Sequence, residues 1–134
     1  ANIILDGAHN PTKMKAFLAT LNKHFPKQKK IFVVGFKFDK DIPNMLKQIV
    51  KVADMIIVTE FKAKTDVSVY ASAKAESIKY GGKIIVEPNS KKALDLALNI
   101  SMSQYRNINS IIVVTGSLYL VGEIRSEIMQ YIDN

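Results

Sequence analysis

The chain has 134 residues, 48% hydrophobic and 23% charged, which predicts one globular domain rather than two. It contains no cysteine, which excludes disulfides, thiol nucleophiles and cysteine-ligated zinc, and its two histidines form no metal-binding pattern, so we expect no metal held by this chain. Nineteen basic against 12 acidic residues give a net charge of +7, which favours an anionic ligand such as a nucleotide or an acidic substrate.

Short runs of mostly β-branched residues recur along the chain and predict β-strands at residues 3–5, 31–34, 55–58, 84–86 and 111–114. Each run is apolar without alternation, which is typical of strands that are buried on both faces of a parallel sheet. The spacing between successive runs leaves room for one crossover helix each time.

Apolar residues at helical spacing follow each run and predict helices over about residues 14–25, 42–53, 67–80, 91–104 and 118–132. The third is expected to end at Gly81-Gly82, and the fourth is apolar nearly all round between residues 93 and 100, which indicates deep burial. Strand and helix therefore alternate throughout. The pattern predicts an α/β fold, a Rossmann-like layered and mostly parallel sheet with helices on both faces, as a single domain of residues 1–134.

In such sheets ligands bind beyond the carboxyl ends of the strands, so the loops after the strands are the candidate sites. The first strand is followed by Asp6-Gly7-Ala8-His9-Asn10-Pro11. Asn10 and Pro11 are expected to start a helix, as its cap and first residue. Capping leaves Asp6 and His9 unexplained, and both are titratable groups beside a helix N-terminus. We therefore predict that they contact a ligand.

The loops after the second, third and fifth strands carry weaker signals. Asp41 is predicted to cap the second helix, with Lys40 in solvent. Lys64 lies in a polar loop where it could face an anion, although exposed loop lysines are common. Ser117 offers a hydroxyl that suits a helix cap and an anion equally well.

Several function classes are disfavoured by what the sequence lacks. The basic cluster at residues 27–30 has no interleaved aromatics, so we expect a solvated turn and no nucleic-acid binding. No apolar run approaches the about 20 residues of a membrane-spanning helix, and no secretory leader is visible. Neither a dinucleotide fingerprint nor a P-loop occurs. Ser117, His9 and Asp6 could form a hydrolytic triad, but no Gly-x-Ser-x-Gly elbow surrounds the serine.

Taken together, these loops resemble the C-terminal domain of the Mur ligase superfamily, and especially its folate branch of folylpolyglutamate and dihydrofolate synthases. The loop at residues 6–11 resembles the motif that opens this domain, which is shared with the cell-wall ligases. Gly35 followed by Asp39-Lys40-Asp41-Ile42 resembles the second-strand loop of the folate branch, and residues 115–125 resemble its closing motif. Residues 62–65 depart from the Pro-Arg-Ala step that is usual there.

The resemblance implies an ATP-dependent amide ligase that joins L-glutamate to folate or dihydropteroate. In this family ATP phosphorylates the acceptor carboxylate, and the glutamate amine attacks the resulting acyl phosphate. The P-loop and the main Mg²⁺ ligands belong to a larger N-terminal part that is absent from this sequence. The chain is therefore expected to be inactive alone, to work with the N-terminal domain of the same enzyme, and to be cytoplasmic.

The resemblance also implies roles for individual residues. Asp6, His9 and Asn10 would bind the nucleotide, with Asp6 at its ribose, while His9 and Ser117 would bind glutamate. Lys40 and Lys64 are further candidates for binding. No residue is assigned as a catalytic base, and catalysis would rest on positioning and charge stabilisation between domains.

Other interpretations stay open at this point. A cell-wall Mur ligase domain would take a UDP-linked peptide precursor as its acceptor. A stand-alone, non-catalytic α/β module would bind a nucleotide or another acidic ligand through the same loops. A phosphate-receiver domain is disfavoured, because the first strand has no acidic cluster and Gly116 and Ser117 stand where its lysine would be.

Overall fold

The structure, a computed structural model, describes residues 2–37, 40–61, 79 and 84–133, with side chains as far as residue 130. Within these ranges the strands are β1 (Asn2–Leu5), β2 (Lys29–Val34), β3 (Met55–Val58), β4 (Ile84–Val86) and β5 (Ser110–Thr115). All pair in parallel, in the order β1-β5-β2-β3-β4. The predicted strands and the parallel α/β sheet are confirmed.

The described helices are α1 (Pro11–His24), α2 (Ile42–Val50), α3 (Ser90–Ser103) and α4 (Leu118–Asp133). Their starts follow from side-chain caps: Asn10 Oδ1 accepts from Lys13 N at 2.8 Å, and Asp41 Oδ1 accepts from Asn44 N at 3.3 Å. Both caps were predicted. The helix predicted over residues 67–80 and its end at Gly81-Gly82 lie outside the described residues.

Helices cover both faces of the sheet. Because successive side chains of a strand point to opposite faces, Phe32 and Val34 pack with α1 and α2, whereas Ile31 and Val33 pack with α3 and α4. The prediction of deep burial all round the fourth helix is wrong for its outer face, where Asn99 is exposed. Its buried residues lie along one face, at Ser90, Ala93, Leu94, Ala97, Ile100 and Ser101.

The last strand of the chain, β5, lies between β1 and β2 in the sheet. β5 is hydrogen-bonded to β1 on one side and to β2 on the other, with Leu5 opposite Val114 and Val34 opposite Thr115. The carboxyl ends of these strands therefore stand side by side. The described parts of the loops that follow them, at residues 6–10, 35–37, 40–41 and 116–117, meet at one edge of the molecule.

Two carboxyl groups of α4 contact the first residue of α3. Ser90 Oγ lies 2.7 Å from Glu123 Oε2 and 3.1 Å from Glu127 Oε1. A hydroxyl has one proton to donate, so the carboxyls of Glu123 and Glu127 compete for a single donor. Burial is the main cause that raises the pKa of Glu127, opposed by the Ser90 hydrogen bond and by Lys91, and reinforced by the charges of Glu123 and Asp95.

We expect Glu127→Gln to raise the free energy of unfolding at pH 7, by less than about 1 kcal/mol because solvent screens this partly exposed group. The raised folded pKa means that the stabilisation by Glu127 is full below the ordinary glutamate pKa of about 4.3 and is lost as pH rises through the folded value. Glutamine stays neutral at every pH. The gain should therefore appear in urea denaturation at pH 7 and vanish near pH 4.

The matched control for this variant is Glu60→Gln. Glu60 lines the same cavity as Ser90 and Glu123, but its replacement leaves the contact between Ser90 and Glu127 in place. A gain of equal size in both variants, or one that does not change between pH 4 and pH 7, would contradict a raised pKa of Glu127 as its cause.

Candidate functional site

The site is built from loops that are distant in sequence and tied together by backbone hydrogen bonds. Gly116 N donates to Ala8 O at 3.0 Å, which joins the loop after β5 to the loop after β1. Gly35 N donates to Thr115 O at 3.3 Å, which joins the loop after β2 to the same point. The structure thus brings together the loops that carry three of the motifs singled out in the sequence.

Gly116 is what allows this close approach. Its φ is +105°, a left-handed conformation that L side chains rarely adopt. A Cβ at this position would lie 2.6 Å from Gly35 O. The two loops can therefore touch only because residue 116 has no side chain.

Asp6 closes the turn after β1. Its Oδ1 accepts from Ala8 N at 2.9 Å, an Asx turn that accounts for one carboxylate oxygen. From the sequence, only a ligand contact is predicted for Asp6, and this local role is missed. Its Oδ2 has no hydrogen-bond partner among the described residues, so a further contact is available to it.

The same turn holds the orientation of the His9 ring. Its Nδ1 lies 2.9 Å from Gly7 O, and a carbonyl oxygen can only accept, so Nδ1 carries the hydrogen. In the neutral ring Nε2 is then left as an acceptor. His9 therefore offers a hydrogen-bond acceptor of fixed orientation, which suits a hydroxyl or an ammonium group.

The side chains of Asn10 and Ser117 are engaged as caps. Asn10 Oδ1 holds Lys13 N, and Ser117 Oγ accepts from Tyr119 N at 3.1 Å. Ser117 is only 2% exposed, yet it lines a cavity at this edge. The cap reading of Ser117 is confirmed, while binding by Asn10 and Ser117 stays a prediction.

Two adjacent cavities open at this edge. The larger, of about 480 Å³, is lined by Asp6, Gly7, Ala8, His9, Lys13, Ala16, Phe17, Thr20 and Leu118. The smaller, of about 160 Å³, is lined by His9, Lys37, Lys40, Ser117, Leu118 and Tyr119. His9 and Leu118 line both cavities. Ligands in the two cavities would meet at these shared side chains.

The two cavities differ in chemistry. The larger combines the Asp6 carboxylate with the apolar surface of Phe17 and Leu118, which suits a flat heterocycle that carries hydroxyl groups. The smaller presents two lysines and, among the lining residues that the structure describes, no carboxylate, which suits a small anion. The arrangement can therefore hold a nucleoside-like ligand beside a carboxylate-bearing one.

Several lining residues were missed in the sequence, and Lys64 lies outside the described residues. Lys37 could have been found as a second lysine in the loop that also contains Lys40. Phe17 carried no separate signal, because its spacing in α1 is that of a core residue. Tyr119 had none either, since an exposed aromatic in the first turn of a helix is ordinary.

Neither a metal-binding cluster nor a membrane-spanning helix occurs in the described part of the chain. There, no group of three or more histidine, aspartate or glutamate side chains is placed to hold a metal ion. Across the same residues, no helix has the length and apolar character needed to span a bilayer.

Comparison with known proteins shows the family. The family described as "Dihydrofolate synthetase, C-terminal domain" matches residues 1–128. The chain belongs to this family. It is 29% identical over 129 residues to dihydrofolate synthetase of Saccharomyces cerevisiae, across 91% of this chain and 29% of that protein. A probable dihydrofolate synthetase of Schizosaccharomyces pombe is 27% identical over 128 residues, across 91% of this chain and 30% of its own length.

A solved structure agrees with this assignment to the dihydrofolate synthetase family. Folylpolyglutamate synthase of Mycobacterium tuberculosis, crystallised in complexes with ADP and AMPPCP, is 27% identical with a TM-score of 0.81, over 92% of this chain and 29% of that one. The resemblance of the loops to the folate branch is confirmed. The chain spans about 29–30% of the length of these relatives.

Proposed function

We propose that this chain is the C-terminal domain of an ATP-dependent ligase that joins L-glutamate to dihydropteroate or a folate through an acyl phosphate. Residues 1–134 form that domain, and the N-terminal part with the ATP-hydrolysing machinery belongs to the rest of the enzyme. The observation that carries the proposal is that His9 lies on the walls of two adjacent cavities of different chemistry. Such a ligase must hold a nucleotide and an amino acid side by side.

The larger cavity is assigned to ATP. The Asp6 carboxylate would accept from the ribose hydroxyls, and Phe17 and Leu118 would contact apolar parts of the nucleoside. Asn10 supports the loop by capping α1, which leaves Lys13 at the cavity. Mg²⁺ would accompany the nucleotide, but the described residues do not form a site for it, so it is assigned mainly to the N-terminal part.

The smaller cavity is assigned to L-glutamate. Lys40 would attract its charge, and Ser117 would lie at its carboxylate beside the start of α4. His9 Nε2 would accept from the amino group, which holds the nucleophile at the wall shared with the nucleotide. This domain would then contribute to catalysis by positioning, because the two cavities bring the nucleotide and the glutamate amine together.

The rim of the site suits a partner domain. Leu118 is 66% exposed and Tyr119 44% exposed, although both stand beside the cavities. Closure of the N-terminal domain over this edge would bury these side chains together with the ligands. We place the complete enzyme in the cytoplasm, where ATP and free glutamate are available, and assign it no nucleic-acid or membrane partner.

The test is an assay of the complete polypeptide that contains this chain. We expect ADP release that requires L-glutamate together with dihydropteroate or a reduced folate, and formation of the glutamyl amide detected by mass spectrometry. A UDP-linked peptide precursor should not replace the folate acceptor. The 134-residue chain alone should release no ADP.

Two outcomes would overturn this function. One is a complete enzyme that releases ADP with a UDP-linked peptide precursor and not with any pteroate or folate. The other is a native polypeptide that ends at the size of this chain when source-cell lysate is blotted with antibodies raised against it. The second result would instead favour a stand-alone binding module.

A further inference from the structure

Lys37 is held at the smaller cavity by a stack of aromatic rings. Its Nζ lies 5.4 Å from the centroid of the Tyr119 ring, within the range of a cation–π contact. The Tyr119 ring in turn stacks on Phe61, with centroids 6.2 Å apart and planes at 11°. Phe61 is only 3% exposed and belongs to the core beneath α3 and α4. The Lys37 ammonium is thus placed by a support that is anchored in the core.

Gly35, two residues before Lys37, leaves room for the Phe61 ring of this stack. A Cβ at Gly35 would lie 3.2 Å from Phe61 Cδ1 and 3.1 Å from Thr59 O. Any side chain at residue 35 would crowd the ring that supports Tyr119. The glycine therefore lets the β2 loop run close over Phe61 and carry Lys37 to the cavity.

The charge of Lys37 stays available to a ligand. An aromatic ring attracts an ammonium group without neutralising it. Among the described residues no carboxylate pairs with Lys37, and Asp6 lines only the larger cavity. Lys37 and Lys40 therefore give the smaller cavity a positive charge that a ligand carboxylate would balance.

We propose that Lys37 determines the amino-acid specificity of the site by binding the side-chain carboxylate of the incoming glutamate. The inference rests on the proposed function. The Tyr119 ring would hold the Lys37 ammonium at the cavity wall, where it meets the charge of the substrate. A carboxylate is favoured over a nucleotide phosphate because this cavity has about a third of the volume of its neighbour, which has the surface for a nucleoside.

The test is Lys37→Met in the complete enzyme, assayed with L-glutamate and with L-glutamine. Loss of one charged hydrogen bond should raise the KM for glutamate about 10- to 100-fold. The KM values for ATP and the folate acceptor should stay within about 2-fold, since neither ligand is assigned to Lys37. The preference for glutamate over glutamine should fall by the same factor. This ratio does not depend on how much of the variant is folded.

Two further variants and one control separate charge from packing. Lys37→Arg keeps the cation and should recover most of the preference for glutamate. Lys47→Met removes a lysine from the exposed face of α2 and should leave every constant unchanged. Tyr119→Leu should raise the KM for glutamate less than Lys37→Met does, because the ammonium remains but loses its support.

The outcomes distinguish the inference from the function on which it rests. An active Lys37→Met enzyme with an unchanged KM for glutamate overturns the role of Lys37 and leaves the ligase function standing. A rise in the KM for ATP alone assigns Lys37 to the nucleotide and overturns it as well. A wild-type enzyme without glutamate-dependent ADP release overturns both.

Discussion

In the complete enzyme His9→Ala is expected to lower kcat/KM for glutamate by about 100-fold, because positioning errors at a reacting group have effects of this order. The KM for ATP should rise too, since His9 lines both cavities. Alanine removes the ring that Gly7 O holds and with it the Nε2 acceptor. Steady-state kinetics with each substrate varied in turn measure both effects.

His24→Ala is the control for the loss of a histidine from the same region. His24 is exposed in the last turn of α1, at the other end of the helix from the site. Its replacement should leave kcat and all KM values at wild-type levels. If His9→Ala behaves like His24→Ala, the assignment of the shared wall to substrate binding is wrong.

Gly116→Ala is expected to lower the free energy of unfolding by about 2–4 kcal/mol, the sum of left-handed strain and a backbone clash. The added Cβ would stand 2.6 Å from Gly35 O, a backbone atom that can move only with its whole loop. The hydrogen bond from Gly116 N to Ala8 O would be strained with it. Urea denaturation of the chain measures the loss.

Gly122→Ala makes the same chemical change where the structure tolerates it. Gly122 lies in α4 and a Cβ there would meet nothing within 4 Å. Alanine should stabilise the chain by about 0.5–1 kcal/mol through its higher helix propensity. If both substitutions changed the free energy of unfolding equally, a side chain at residue 116 would not strain the contact between the loops after β1, β2 and β5.

Much of the fold could be predicted because local signals agree with the tertiary structure. The apolar runs without alternation correspond to the five described strands, and Asn10 and Asp41 cap the helices that their side chains suggested. The prediction that α3 is deeply buried failed on its outer face. Its alanines and leucines show no clear boundary in the sequence between the buried and the half-buried face.

The site was predictable only in part. Asp6, His9, Lys40 and Ser117 stand at the ends of strands, where ligands of such sheets bind, and the structure gathers them at one edge. The contact of Lys37 with Tyr119 joins residues that are 82 positions apart in the sequence. No local pattern contains that contact, because it depends on the order in which the strands pair.

The position of β5 also governs how the chain can fold as it is made. β1 is hydrogen-bonded to β5 in the described sheet, with Asn2 opposite Ile111, so the earliest strand has to wait for the latest one. During synthesis β2 can pair with β3 once Met55–Val58 is available, but β1 has no partner among the described strands and β2 lacks its second neighbour until Ser110–Thr115 has left the ribosome. A chain truncated before this strand would therefore form an incomplete sheet with exposed apolar strands, which favours aggregation, and not a smaller folded domain.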